Sequence, residues 1–217
     1  SSMNLVTIGR FPADTDTQIR AFFPADWEVS ITESNLAGPY LQNADALIPE
    51  HIPIGPSFLD KAPKLRMIQT GAGYDNVDLA ECTRRSILVC SAAGVNTAAV
   101  AEHTMALILG WFKNIVYLDS FLKAHRDSRE LRYSGGELCG KTAGIIGLGA
   151  IGQRVSSLCR AFGMNVLGYA RHPKSVQGVE TVSLDELLAR SDVVSIHVPA
   201  TPETRHMIGR QAFQKME

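Results

Sequence analysis

"TAGIIGLGAIGQRVSSLCRAFGMNVLGYARHPK", residues 142–174, decides how the rest of the chain is read. An apolar run, Thr142–Ile146, leads straight into Gly147-Leu148-Gly149-Ala150-Ile151-Gly152, a G-x-G-x-x-G, and a helical pattern over Ile151–Phe162 follows. The glycine spacing alone is weak, because any glycine-rich chain produces it by chance. Set between a strand and a helix, it describes a tight turn that lets a pyrophosphate approach free amides at a helix N-terminus. A ligand-free glycine turn is the plainer alternative. A second strand, "NVLGYA", should then close about 20 residues beyond the glycines with a carboxylate that accepts from the adenosine ribose hydroxyls. Ala170 stands at that place, and Arg171, His172 and Lys174 follow it. Without the acid a 2′-phosphate is not repelled, and the guanidinium fork of Arg171 suits it. The stretch therefore predicts NADP(H) as the preferred nucleotide, with NAD(H) admissible. The competing reading makes Arg171 and Lys174 solvated loop charges.

Upstream, "LVTIG", "WEVSI", "ADALIP", "LRMIQT" and "ILVCSA" are short apolar runs separated by helical segments such as Thr15–Phe23 and Asp78–Arg85. Such alternation specifies parallel strands joined by crossover helices. Residues 3–93 are read as one α/β domain and 94–217 as a second. Between the two series runs "TAAVAEHTMALILGWFKNIVYLDSFLKAH", residues 97–125, read as one long helix. Val100, Met105, Leu107, Ile108, Leu109, Phe112, Val116 and Phe121 give it an apolar surface too wide for an exposed helix. It is expected to be buried or to face a second subunit. The glycines of "SGGELCG" end it, and the αβ series resumes with "TAGIIG", "NVLGYA", a helix over Leu184–Ala189, and "VVSIHV".

The chain has 217 residues, 45% hydrophobic and 20% charged, enough to bury sizeable cores. A formal charge of −1 provides no long-range attraction for nucleic acid or an anionic membrane, and neither is expected as a partner. No apolar run approaches the ~20 residues of a membrane span. Cys82, Cys90, Cys139 and Cys159 contain no CxxC pair and read as buried free thiols of a cytoplasmic protein. Ser1-Ser2-Met3 reads as a cloning remnant.

Four ordered stretches now carry a resemblance: "GAGYDNVDL" (71–79), "AGVNTAAVAEHTMALIL" (93–109), "LCGKTAGIIGLGAIGQ" (138–153) and "DVVSIHVPATPETRHMI" (192–208). In this order they resemble the D-2-hydroxyacid dehydrogenase family. The resemblance implies two doubly wound parallel-sheet domains, a flavodoxin-like substrate domain and a Rossmann cofactor domain, the second incomplete. It also implies hydride transfer between a nicotinamide and a small 2-keto or 2-hydroxy acid of the glyoxylate or hydroxypyruvate type, in a homodimer packed through the long helix around Trp111 and Phe112.

Residue by residue, Ala72 and Gly73 match the loop whose amides hold the substrate carboxylate, a role that suits exposed turn amides. Asn96 matches a substrate-side position and Thr104 a cofactor-side one. A helix N-cap and a mid-helix threonine are the bland alternatives for these two. Gly147, Gly149, Ala150, Ile151 and Gly152 match the pyrophosphate turn, and Val198 and Pro199 the turn beside the adenosine ribose. Reduction of a keto acid also needs a proton delivered to oxygen. His103, His197 and His206 do not match the family's acid-base histidine, and His103 and His197 read as structural. The family's arginine, glutamate and histidine are expected beyond Glu217, so no catalytic residue is assigned here. The chain is read as part of a longer reductase, with a short, inactive nucleotide-binding or corepressor-like interaction protein as the alternative.

Overall fold

The computed structural model describes residues 2–125, 127–132 and 135–216. Ser1 of the supposed remnant, Ser134 of the glycine break and Glu217 lie outside them. The chain divides into two compact units, Ser1–Val95 and Asn96–Glu217.

In the first unit, β1 (Asn4–Ile8), α1 (Thr15–Ala21), β2 (Glu28–Thr32), α2 (Gly38–Leu41), β3 (Ala46–Pro49), α3 (Pro56–Leu59), β4 (Met67–Thr70), α4 (Leu79–Arg84) and β5 (Leu88–Ser91) alternate along the chain. The sheet runs β2-β1-β3-β4-β5, with every pair parallel. Parallel pairing needs crossovers, and crossovers cover both faces. On β1 this appears as alternation between two cores: Val6 and Ile8 pack with Leu47, Ile54, Leu59 and Ile68, whereas Leu5 packs with Val29 and Ala46. Helix α4 begins where Asp78 accepts from the Glu81 amide at 3.0 Å, a side-chain N-cap.

The second unit opens with α5 (Thr97–Phe112) and α6 (Ile115–His125), where one long helix was expected. Asn114 takes φ +50, and this left-handed residue ends α5 while its carbonyl accepts from Leu118 to begin α6. Asparagine tolerates that conformation better than most residues, and an apolar periodicity running straight across it hid the break. The two axes differ by 54°. Trp111, expected at the middle of an apolar surface, is 80% exposed, whereas Met105 and Ile108 are buried. His103 also lies on the exposed side of α5, contrary to its expected burial.

There follow β6 (Thr142–Ile146), α7 (Ala150–Ala161), β7 (Asn165–Tyr169), β8 (Glu180–Thr181), α8 (Leu184–Arg190), β9 (Val193–Ile196) and α9 (Arg210–Phe213). The parallel order is β8-β7-β6-β9. Central β6 is again double-faced: Ala143 and Ile145 join Ala101, Met105, Val155 and Cys159 from α5 and α7, while Ile146 joins Leu187 of α8. Ser183 caps α8 by accepting from the Glu186 amide at 3.2 Å.

Cys82 and Cys159 are buried, but Cys139 is exposed, which corrects the expectation of four buried thiols. Burial raises the Cys159 thiol to about 11, so it packs as a small apolar side chain. Among the described residues no single helix is long and apolar enough to cross a membrane, although the bent pair Thr97–Phe112 and Ile115–Ala124 passes by length and composition together.

Candidate nucleotide site

The three glycines of the 147–152 turn have different physical reasons. Gly147 sits at φ +96, and a Cβ there would collide with the backbone of His197. At Gly152 a Cβ would strike the Gly147 carbonyl oxygen, so this residue lets the helix close onto the turn. Neither position tolerates a side chain, ligand or no ligand. Gly149 is different: its φ is −73 and a Cβ would meet nothing within 4 Å. The protein has no packing or backbone reason for glycine here. What the missing side chain leaves free is the approach to the first amides of α7, those of Ala150, Ile151 and Gly152, which have no partner within the helix.

That turn forms one wall of a pocket of about 340 Å³ at the C-terminal ends of β6, β7 and β9. Gly147, Leu148 and Gly149 come from the first wall, Tyr169, Ala170, Arg171 and His172 from the end of β7, and His197, Val198 and Pro199 from the end of β9. Thr201, Glu203, Thr204 and Met207 complete it. A crevice outside the carboxyl ends of parallel strands, where the order reverses about β6, is the general location of ligands in such sheets.

The structure thus brings together Gly147, Gly149, Ala170, Arg171, His172, Val198 and Pro199. Ala150, Ile151 and Gly152 form the first turn of α7, next to the lining residue Gly149, and neither they nor Lys174 line the pocket themselves. Thr104 donates to the Val100 carbonyl at 2.8 Å within its own helix. Asn96 is the N-cap residue of α5 without a side-chain cap bond. Ala72 and Gly73 lie in the loop after β4, in the first unit.

His197 and the 201–207 segment were not expected at the pocket. His197 is bonded to Ser195 Oγ at 2.7 Å, and burial pushes its pKa below the ordinary value. The segment after Pro199 is tied down: Thr204 Oγ1 donates to the Pro199 carbonyl at 2.6 Å and accepts from the Thr201 amide at 2.9 Å. Glu203 on this turn lies 3.9 Å from Arg171, both side chains being largely exposed. Its own backbone amide, then the Thr201 hydroxyl, and more weakly Arg171 hold its carboxyl below the usual range. The T-P-x-T pattern could have signalled the turn, but nothing in linear sequence places Glu203 beside Arg171.

A glycine turn at a helix N-terminus, opening on the strand ends of a parallel sheet, defines a Rossmann-type nucleotide-binding unit. The family description "D-isomer specific 2-hydroxyacid dehydrogenase, NAD binding domain" matches residues 105–217. The D-3-phosphoglycerate dehydrogenase of Methanocaldococcus jannaschii is 44% identical over 165 residues, covering 73% of this chain and 31% of that protein. The glyoxylate reductase of Aeropyrum pernix is 40% identical over 171 residues, 74% of this chain and 51% of its own. A crystal structure of the D-lactate dehydrogenase of Aquifex aeolicus, complexed with NAD and lactic acid, superposes with a TM-score of 0.90 at 32% identity, over 99% of this chain and 66% of that one. The chain belongs to the D-isomer-specific 2-hydroxyacid dehydrogenase family. It spans about a third of the length of the phosphoglycerate dehydrogenases it matches and about half that of the glyoxylate reductases.

Proposed function

We propose that this chain carries the binding elements of an NADP(H)-preferring oxidoreductase that moves a hydride between the nicotinamide and a small 2-keto or 2-hydroxy acid, of the glyoxylate or hydroxypyruvate type. The observation that carries the reading is the end of β7: the pocket wall there is Ala170-Arg171-His172 and holds no carboxylate of its own. The bound nicotinamide supplies the hydride chemistry. The chain's residues bind and orient. The α7 amides behind Gly149 receive the pyrophosphate, Val198 and Pro199 flank the adenosine ribose, and Arg171, with His172 and Lys174 near it, receives a 2′-phosphate.

The second unit is thereby the cofactor domain and the first the substrate domain. Ala72 and Gly73 present turn amides to the substrate carboxylate, while Asn96 and Thr104 take the substrate-side and cofactor-side positions that the family pattern gives them. The catalytic arginine, glutamate and histidine of the pattern match nothing in this chain. The exposed Leu107, Trp111, Ile115 and Val116 of α5 and α6 form the surface through which a homodimer would pack.

Titration calorimetry of the protein with glyoxylate, hydroxypyruvate and pyruvate, each at saturating NADPH, tests the substrate half. Binding of the small keto acids, weakened at least tenfold in a Gly73→Pro variant that lacks one turn amide, is the expected result. Absence of heat with all three acids would sink it.

A further inference from the structure

The carboxylate missing from the end of β7 returns from another element. Glu203 lines the same pocket as Ala170 and Arg171, and its carboxylate lies 3.9 Å from the Arg171 guanidinium. Its backbone is held by the threonine network: Thr204 donates its amide to Thr201 Oγ1 at 3.3 Å and its hydroxyl to the Pro199 carbonyl at 2.6 Å. Glu203 is therefore an acid with a fixed origin and a largely exposed head, 63% accessible, at the wall where a ribose 2′ substituent would come. A pair this long and this exposed gains little from its own attraction, so neither partner is consumed by the other. The other ties of the Glu203 carboxyl are to its own amide and the Thr201 hydroxyl, within its own turn, and its head stays largely exposed on the pocket side.

The two charges ask for opposite nucleotides. A guanidinium favours a 2′-phosphate, while a carboxylate repels it and accepts a hydrogen bond from a 2′-hydroxyl. We infer that Glu203 is a specificity-determining residue that works against Arg171, lowering the preference for the phosphorylated nucleotide and keeping the unphosphorylated one as an effective ligand. This rests on the cofactor reading above, in which Arg171 meets the 2′ position.

Dissociation constants for NADPH and NADH, measured by nucleotide fluorescence on the unmodified chain and on Glu203→Gln, Glu203→Ala and Arg171→Ala, decide it. Removing one exposed negative charge 3.9 Å from the guanidinium assigned to the phosphate should tighten NADPH roughly three- to tenfold in both Glu203 variants. NADH should be unchanged or slightly weaker, so the ratio of the two constants moves. An unchanged ratio in both variants would overturn the inference about Glu203, and so would an equal change for both nucleotides. Arg171→Ala reports separately on the cofactor reading. If it leaves NADPH affinity intact, that reading fails, whereas the Glu203 ratio still decides its own role. Circular dichroism of the variants confirms the fold, which an exposed side chain at this turn does not determine.

Discussion

Gly149 has neither the packing reason nor the backbone reason for glycine that Gly147 and Gly152 have. Gly147 and Gly152 are demanded by the chain itself, through a left-handed φ and a helix closing onto the turn, so substituting them tests packing rather than function. Gly147→Ala should cost about 2 kcal/mol or more, read as a lowered midpoint in chemical denaturation. Gly149→Ser should behave in the opposite way. Serine is a favourable N-cap residue and its Cβ meets nothing, so stability should hold within about 0.5 kcal/mol, while nucleotide affinity falls at least tenfold. Equal nucleotide affinity in Gly149→Ser and the parent would remove the pyrophosphate from this turn. The G-x-G-x-x-G and the missing acid at Ala170 were both legible in sequence because they depend on local spacing. Glu203 was not, because its place beside Arg171 is made by β9 returning next to β6.

At the scale of elements, the parallel strands and their crossover helices were readable because each strand is a short apolar run bounded by turns. The single long helix that the pattern predicts over residues 97–125 is two helices for a reason of the same kind. Apolar periodicity reports which residues want burial, but it does not report backbone direction, and Asn114 changes direction without interrupting the pattern. Two-residue β8 and the short helices α2, α3 and α9 carry too few residues for any period to show. The break at Asn114 has a mutational signature. Asn114→Val, a β-branched residue forced to φ +50, should destabilise the second unit by about 1–2 kcal/mol, whereas Asn114→Gly should be neutral or stabilising. Thermal denaturation of the two variants compares them, and equal midpoints would show that the helices part for another reason. On the buried face, Met105→Ala, opposite Cys159, should cost about 2–5 kcal/mol.

For the whole molecule, the charge balance is nearly neutral, and pH acts through particular groups instead. His197 is held below its ordinary value by burial, so the unfolded chain binds its proton more readily than the folded one. The contribution to stability is complete above about 6.5 and declines as the pH falls from there toward the lower folded value. A His197→Asn variant should show a shallower loss of melting temperature between pH 7.5 and 5.5 than the parent. A parallel loss would assign the decline to other groups. Assembly belongs to this scale too. If Leu107, Trp111 and Val116 meet a second copy, Trp111→Lys should shift sedimentation from dimer to monomer at micromolar concentration. A parent that is already monomeric there would contradict the homodimer.

The preference between two nucleotides joins all three scales, since it needs the glycine turn, the strand end and an intact second unit together. The most direct measurement is a paired titration of the unmodified protein with NADPH and NADH under identical salt and pH. Tighter binding of NADPH is expected, a preference lost at least tenfold in Arg171→Ala and reversed in Ala170→Asp. Equal or tighter binding of NADH by the unmodified protein would contradict it.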